Sequence, residues 1–208
     1  MEELLKKLLN TKTIVLFGVL SVLAALILWT RIQLVENETI AFQILQEQGR
    51  FGIFKILNGL KYMSIPFGYA FKLTIIAFIL WTSAFMFGYK ISFSQMWKIS
   101  IIGEFVFLVA EFTKIIWLIA TPNDITIFDI KAFYPLSLMS LFDINTIPEN
   151  WVYPLQSINV FEPLNWLVLV LGVHYTAKKK LDYAYAIVFT TYVPIFLIWL
   201  VYYSIVYK

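Results

Sequence analysis

Between Gly103 and Trp117 the chain reads GEFVFLVAEFTKIIW, an apolar run carrying two carboxylates and an ammonium: Glu104, Glu111 and Lys114. At about 100° per residue Glu104 and Glu111 project about 20° apart and Lys114 about 60° from Glu111, so a helix gathers all three on one face roughly 80° wide. Such a face can relay protons or ions, or line a polar cavity for a substrate head group. It can equally be a registry device that decides which helices pack together. Each charge near the middle of a membrane costs about 2.5–3.5 kcal/mol, so this face must look at protein or water rather than lipid. A further cation, Lys72, lies in the preceding apolar segment. Folding the two segments antiparallel about a turn near Ser92 sets Lys72 level with Glu111 and Lys114. That arrangement predicts a Lys72–Glu111 pair with Lys114 three residues further along the same helix. It also sets Glu104 level with residues 80–83, where Thr82 or Ser83 could hydrogen-bond it.

Other chemistry is sparse. The chain has no cysteine, which removes disulfides, thiol chemistry and cysteine-bound metals. Its one histidine, His174, cannot build a histidine-rich metal site. There is no HExxH, no glycine-rich phosphate loop and no Ser/His/Asp set that can be placed together. No catalytic residue, metal, cofactor or nucleotide is expected. The basic residues form no stripe interleaved with aromatics, so nucleic acid is not an expected partner. The run Lys178-Lys179-Lys180 could hold anionic lipid head groups at about 1 kcal/mol per residue, or serve only as a topology anchor.

The elements that carry these residues follow from composition. Hydrophobic residues make up 61% of the 208 and charged residues 14%, against about 25% charge in soluble domains. So much apolar surface cannot be hidden in a core of this length, and the chain is expected to be an all-α polytopic membrane protein. About five transmembrane helices are predicted, at about 13–30, 65–88, 97–120, 161–177 and 181–207, in a single bundle over 1–208. Pro66 falls near the start of the second, where a missing N–H matters little, and Pro194 should kink the fifth. Segments 37–60 and 123–160 read as interfacial amphipathic helices. Lys6, Lys7 and Lys12 precede the first apolar run as in a signal peptide, but no small-residue cleavage site follows, so that run is expected to remain as the first span.

Lysine and arginine placement sets orientation. With the N-terminus inside, the inner segments hold Lys6, Lys7, Lys12, Lys90, Lys98 and Lys178 to Lys180, eight against six on the other side. The expected location is a bacterial inner membrane, N-terminus inside and C-terminus outside. Tryptophan and tyrosine near segment ends suit the two interfaces.

Residues 158–197, INVFEPLNWLVLVLGVHYTAKKKLDYAYAIVFTTYVPIFL, join a polar entry with Phe161 and Trp166, a short helix with Gly172, a basic turn and a helix opening on small residues. This resembles the C-terminal helix pair of the Yip (Ypt-interacting protein) membrane family, in a likeness extending from Phe51 onward. The resemblance implies an α-helical, non-enzymatic membrane protein that works through partners; some bacterial relatives are described as transport permeases. No functional residue carries over from it. The expected function is therefore a non-catalytic membrane subunit or scaffold that docks on a protein partner within the membrane through the charged helix face. The alternative is a small permease, or a proton- or ion-coupled transport component, using Lys72, Glu104, Glu111 and Lys114 as a polar relay. Membrane lipids are partners on either reading.

Overall fold

The computed structural model describes residues 2–34, 51–120, 127–143, 146–178 and 180–207. Among these the chain is helical nearly throughout, with no strand beyond one isolated bridge between Ser137 and Asn159. Helix α1 (Glu2–Asn10) is followed by α2 (Thr13–Leu34), α3 (Phe51–Met86) and α4 (Phe93–Ala120). A connector then carries α5 (Ile127–Ala132), a 3₁₀ turn (Leu138–Leu141) and α6 (Glu149–Ser157). The chain closes with α7 (Phe161–Ala177), α8 (Leu181–Ile187), a π turn (Val188–Tyr192) and α9 (Val193–Val206).

Among the described residues three stretches are long and apolar enough to cross a membrane: Thr13–Leu34, Gly59–Met86 and Leu181–Val206. The other two segments read as spans form α4 and α7, which pack against each other in the interior. Helix α4 also runs along α2 and α3, which makes the charged helix the axis of the bundle rather than an outer member. Large apolar side chains cover the outside, among them Ile14, Phe67, Phe71, Phe85 and Ile198, and in water such a surface would associate.

Local chemistry explains the hairpin that holds α3 against α4. Gly88 takes a left-handed φ of 78°, Tyr89 N–H donates to Ala84 O at 2.8 Å and Gly88 N–H to Phe85 O at 2.9 Å. This pattern closes the end of α3 as only a residue tolerant of that φ does readily. Four residues later Ser92 and Gln95 exchange hydrogen bonds: Gln95 N–H to Ser92 Oγ at 3.3 Å and Ser92 N–H to Gln95 Oε1 at 2.9 Å. That capping box starts α4.

Beside this turn the bundle is close-packed. Gly172 of α7 lets Ile99 of α4 approach so far that a Cβ would lie 2.6 Å from Ile99 Cγ2, and Gly103 of α4 is likewise filled by Asn165. Small residues let two helix backbones approach this closely. Met96, Leu169, Val173, Ala184 and Val188 complete the core there. Helix α1, read in the sequence only as a basic lead-in, packs Leu5 under the same end, and Lys98 Nζ donates to Leu9 O at 2.9 Å at the close of α1.

The structure corrects several boundaries. The second apolar helix begins at Phe51 rather than about residue 65, so Pro66 sits in its interior. The lost bond to the carbonyl four residues back does not end it, because a long helix packed in a bundle carries one missing bond. Of the expected interfacial segment 37–60, residues 51–60 therefore belong to α3, and 37–50 lie outside the described residues. The segment 123–160 is described from 127: α5, the 3₁₀ turn and α6 lie across one end of the bundle, with 144–145 again undescribed. Gln156 Nε2 donates to Lys131 O at 2.6 Å, Asn150 Nδ2 to Ser204 O at 2.7 Å, and Trp117 stacks on Phe133 at 4.1 Å, tying this connector down. Where the sequence predicts a kink in the last helix, a π turn (Val188–Tyr192) stands just before Pro194, which has no N–H to give to a regular ladder.

Candidate functional site

Lys72 lies halfway along the 28-residue stretch Gly59–Met86, where a bare ammonium would face lipid at its deepest. Its Nζ donates instead to Glu104 Oε1 of α4 at 2.6 Å and sits 4.7 Å from the centre of the Phe107 ring. Glu104 is 3% exposed, whereas the Lys72 side chain is 48% exposed. The carboxylate is buried and its cation reaches it from an open side.

This is not the expected partner. The expected Lys72–Glu111 pair rests on a turn centred near Ser92, but α3 ends at Met86 and α4 begins at Phe93, which centres the hairpin near residues 89–90. Lys72 then falls level with Phe107, and its long side chain reaches Glu104 one turn away. Ser83, a proposed partner of Glu104, donates to Ile187 O at 3.3 Å and accepts from Thr191 Oγ1 at 3.0 Å. Thr82 Oγ1 is buried without a partner.

Glu111 turns toward α2, where its Oε2 lies 3.8 Å from Arg31 Nη1, both side chains about a third or less exposed. Arg31, one of the six basic residues expected on the side opposite the N-terminus, is thus part of the charged system. Lys114 is buried at 6% exposure.

Lys72, Glu104 and Glu111 share the wall of a half-open cavity of about 840 Å³ between α3, α4, the connector and α9. The structure adds Glu162 from the first turn of α7, together with Tyr69, Tyr134, Tyr192 and Trp199; Lys114 does not line it. Glu162 is not among the candidate residues taken from the sequence. The signal that could have singled it out was an acid at the first turn of an apolar run, next to Asn165 and Trp166 one turn on. Its Oε2 accepts from Trp166 Nε1 at 3.2 Å, and Asn159 Oδ1 caps the same turn through the N–H groups of Phe161 and Glu162 at 2.9 and 3.1 Å. Two backbone bonds, Leu138 N–H to Ile158 O and Val160 N–H to Leu136 O, fix the connector over this turn. Burial, with Glu111 and Glu162 nearby, pushes the Tyr134 hydroxyl above its ordinary range, so it stays a neutral donor and acceptor.

At the opposite end, Lys178 closes α7 with φ 53° and donates its N–H to His174 O at 3.0 Å. It lines a pocket of about 380 Å³ with Lys6, Lys98 and Tyr175. Lys180 is exposed ahead of α8, and Lys179 lies outside the described residues. His174 is half-buried against Tyr175, ring centres 4.9 Å apart. Among the described residues no three His, Asp or Glu side chains converge as a metal site.

No family model, no curated protein and no solved structure matches this chain.

Proposed function

We propose that the protein is a small transport component: a bundle of about five membrane-crossing helices whose cavity admits a solute from one membrane face. The observation that carries this reading is Lys72, at the middle of an apolar 28-residue stretch, paired at 2.6 Å with Glu104 and facing a cavity of about 840 Å³. A half-exposed ammonium at that depth is stable against water or a polar solute, not against hydrocarbon. Helices α4 and α7 run with the three apolar stretches and cross with them, their polar groups turned toward one another. A bacterial inner membrane with the N-terminus inside puts Lys6, Lys98 and Lys178 on the cytoplasmic side and the cavity toward the other. Kinship with the Yip family is part of this proposal and rests on the residue pattern of 158–197.

Docking on a partner through the charged face is the weaker reading, because Glu104 and Lys114 are covered within the chain. Relay through Lys114 is weakened likewise, since Lys114 stands outside the cavity wall.

The absence of cysteine makes the test clean. Single cysteines at Ser64, Ile75 and Ser157 line the cavity, and Ala77, 0% exposed, is the control. A membrane-impermeant thiol reagent is expected to label the three lining positions from one side only and to leave the control unlabelled. No labelling of the lining positions in intact membranes would refute a water-accessible cavity. Transport itself is read as proton or cation flux in proteoliposomes, expected to fall on Glu111→Gln.

A further inference from the structure

The cavity's charge balance names the class of its solute. We propose that it takes an amphipathic organic cation, held by the Glu162 carboxylate and enclosed by aromatic rings. This rests on the cavity being a solute site and adds the sign and chemistry of what enters.

Among the described residues three carboxylates line the cavity, Glu104, Glu111 and Glu162, against one ammonium, Lys72; Arg31 and Lys114 are not in its wall. Lys72 is committed to Glu104 at 2.6 Å. Arg31 approaches Glu111 from behind the wall at 3.8 Å, beyond hydrogen-bond length. Glu162 forms no ion pair among the described residues; its side-chain hydrogen-bond partners, Trp166 Nε1 and Asn165, are neutral. A carboxylate set in an apolar surrounding and lacking a cation gains most from one brought by a ligand, since unpaired charge there is costly. An anionic solute would meet the same three acids and be repelled.

The rest of the wall suits the body of such a cation. Tyr69, Tyr134, Tyr192, Phe196 and Trp199 face the cavity with Ile75. Aromatic faces attract cations, more strongly where water is scarce. The protein already uses this contact, because the Lys72 ammonium lies over Phe107 at 4.7 Å. About 840 Å³ falls within the roughly 300–1,000 Å³ typical of small-molecule sites.

The experiment measures binding to the purified full chain in nanodiscs by equilibrium dialysis, with empty nanodiscs subtracted. Three probes of similar bulk are compared: tetraphenylphosphonium (cationic), tetraphenylborate (anionic) and triphenylphosphine oxide (neutral). Saturable binding of the phosphonium is expected, roughly tenfold or more tighter than of the borate. Glu162→Gln is expected to weaken it about tenfold, equal to about 1.4 kcal/mol. Glu2→Gln, which removes an exposed acid far from the cavity, is expected to leave it unchanged. Equal or tighter binding of the borate or the neutral probe to the wild-type chain would overturn the cation assignment while leaving the cavity as a solute site. Phosphonium binding indifferent to Glu162→Gln, in a variant of unchanged helicity, would overturn the anchor. Saturable binding of none of the three would overturn the cation proposal together with the solute cavity beneath it.

Discussion

Two lysine–glutamate pairs in this protein have the same length and unlike surroundings. Lys6 and Glu2, four residues apart on α1, meet at 2.6 Å with side chains 54% and 60% exposed. Lys72 and Glu104, on neighbouring helices, also meet at 2.6 Å, but Glu104 is 3% exposed. At the surface, water solvates each partner about as well as the other partner does, and such pairs contribute about 0–1 kcal/mol. In the bundle the alternative to pairing is a carboxylate or ammonium in an apolar surrounding, and attraction at a given distance is about fourfold stronger at an effective dielectric near 20 than in water. Separation alone therefore does not measure an ion pair. What each charge would meet if its partner left does.

The largest test removes one partner from the inner pair. Lys72→Met orphans Glu104 and should destabilise the protein by about 3 kcal/mol, the lower end of the range for breaking a buried pair, because Lys72 itself faces the cavity. Lys72→Met/Glu104→Met should recover most of that loss, since two apolar side chains suit the site better than one stranded charge. Reversible unfolding in bicelles gives both numbers. A single-variant loss under about 0.5 kcal/mol would make the inner pair equivalent to a surface one. Glu111→Gln should fall between, at roughly 1 kcal/mol, because at 3.8 Å the contact with Arg31 is coulombic rather than a hydrogen bond and both groups are partly exposed.

The sequence showed that such charges exist and that they share a helix face; it did not show whom they meet. The face follows from helical period alone, and period is local. The partner depends on where the hairpin turns, and an offset of two or three residues in its centre moves the opposing residue by about five, more than a helical turn. Gly88 and the Ser92–Gln95 box mark that turn and were legible in principle, since left-handed glycines and capping boxes have recognisable residue patterns. The apolar helices were legible by length and hydropathy, and the early start of α3 at Phe51 was obscured by Gly59, a residue that punctuates helices in water but is tolerated inside a long packed one. Glu162 and Tyr134 come to the cavity by tertiary folding of the connector over the bundle, which no periodicity announces.

The smallest effect belongs to the outer pair and completes the series. Lys6 holds the Glu2 carboxyl below its ordinary value of 4.5, and Glu2 holds the Lys6 ammonium above 10.5, chiefly through the hydrogen bond between them. A depressed carboxyl stabilises above its unfolded value and loses that contribution as pH falls through the folded one. A raised ammonium contributes below its unfolded value and loses that as pH rises through the folded one. Protection of the α1 amides, corrected for intrinsic exchange, should therefore stay level between pH of about 5 and about 10 and weaken on either side. Raising salt from about 0.1 to 1 M shortens the screening length from about 10 to 3 Å, which should loosen α1 slightly and leave the unfolding free energy cost of Lys72→Met unchanged. If salt erodes both to the same degree, ions reach Glu104 as freely as they reach Glu2, and the pair buried in the bundle is energetically a surface pair.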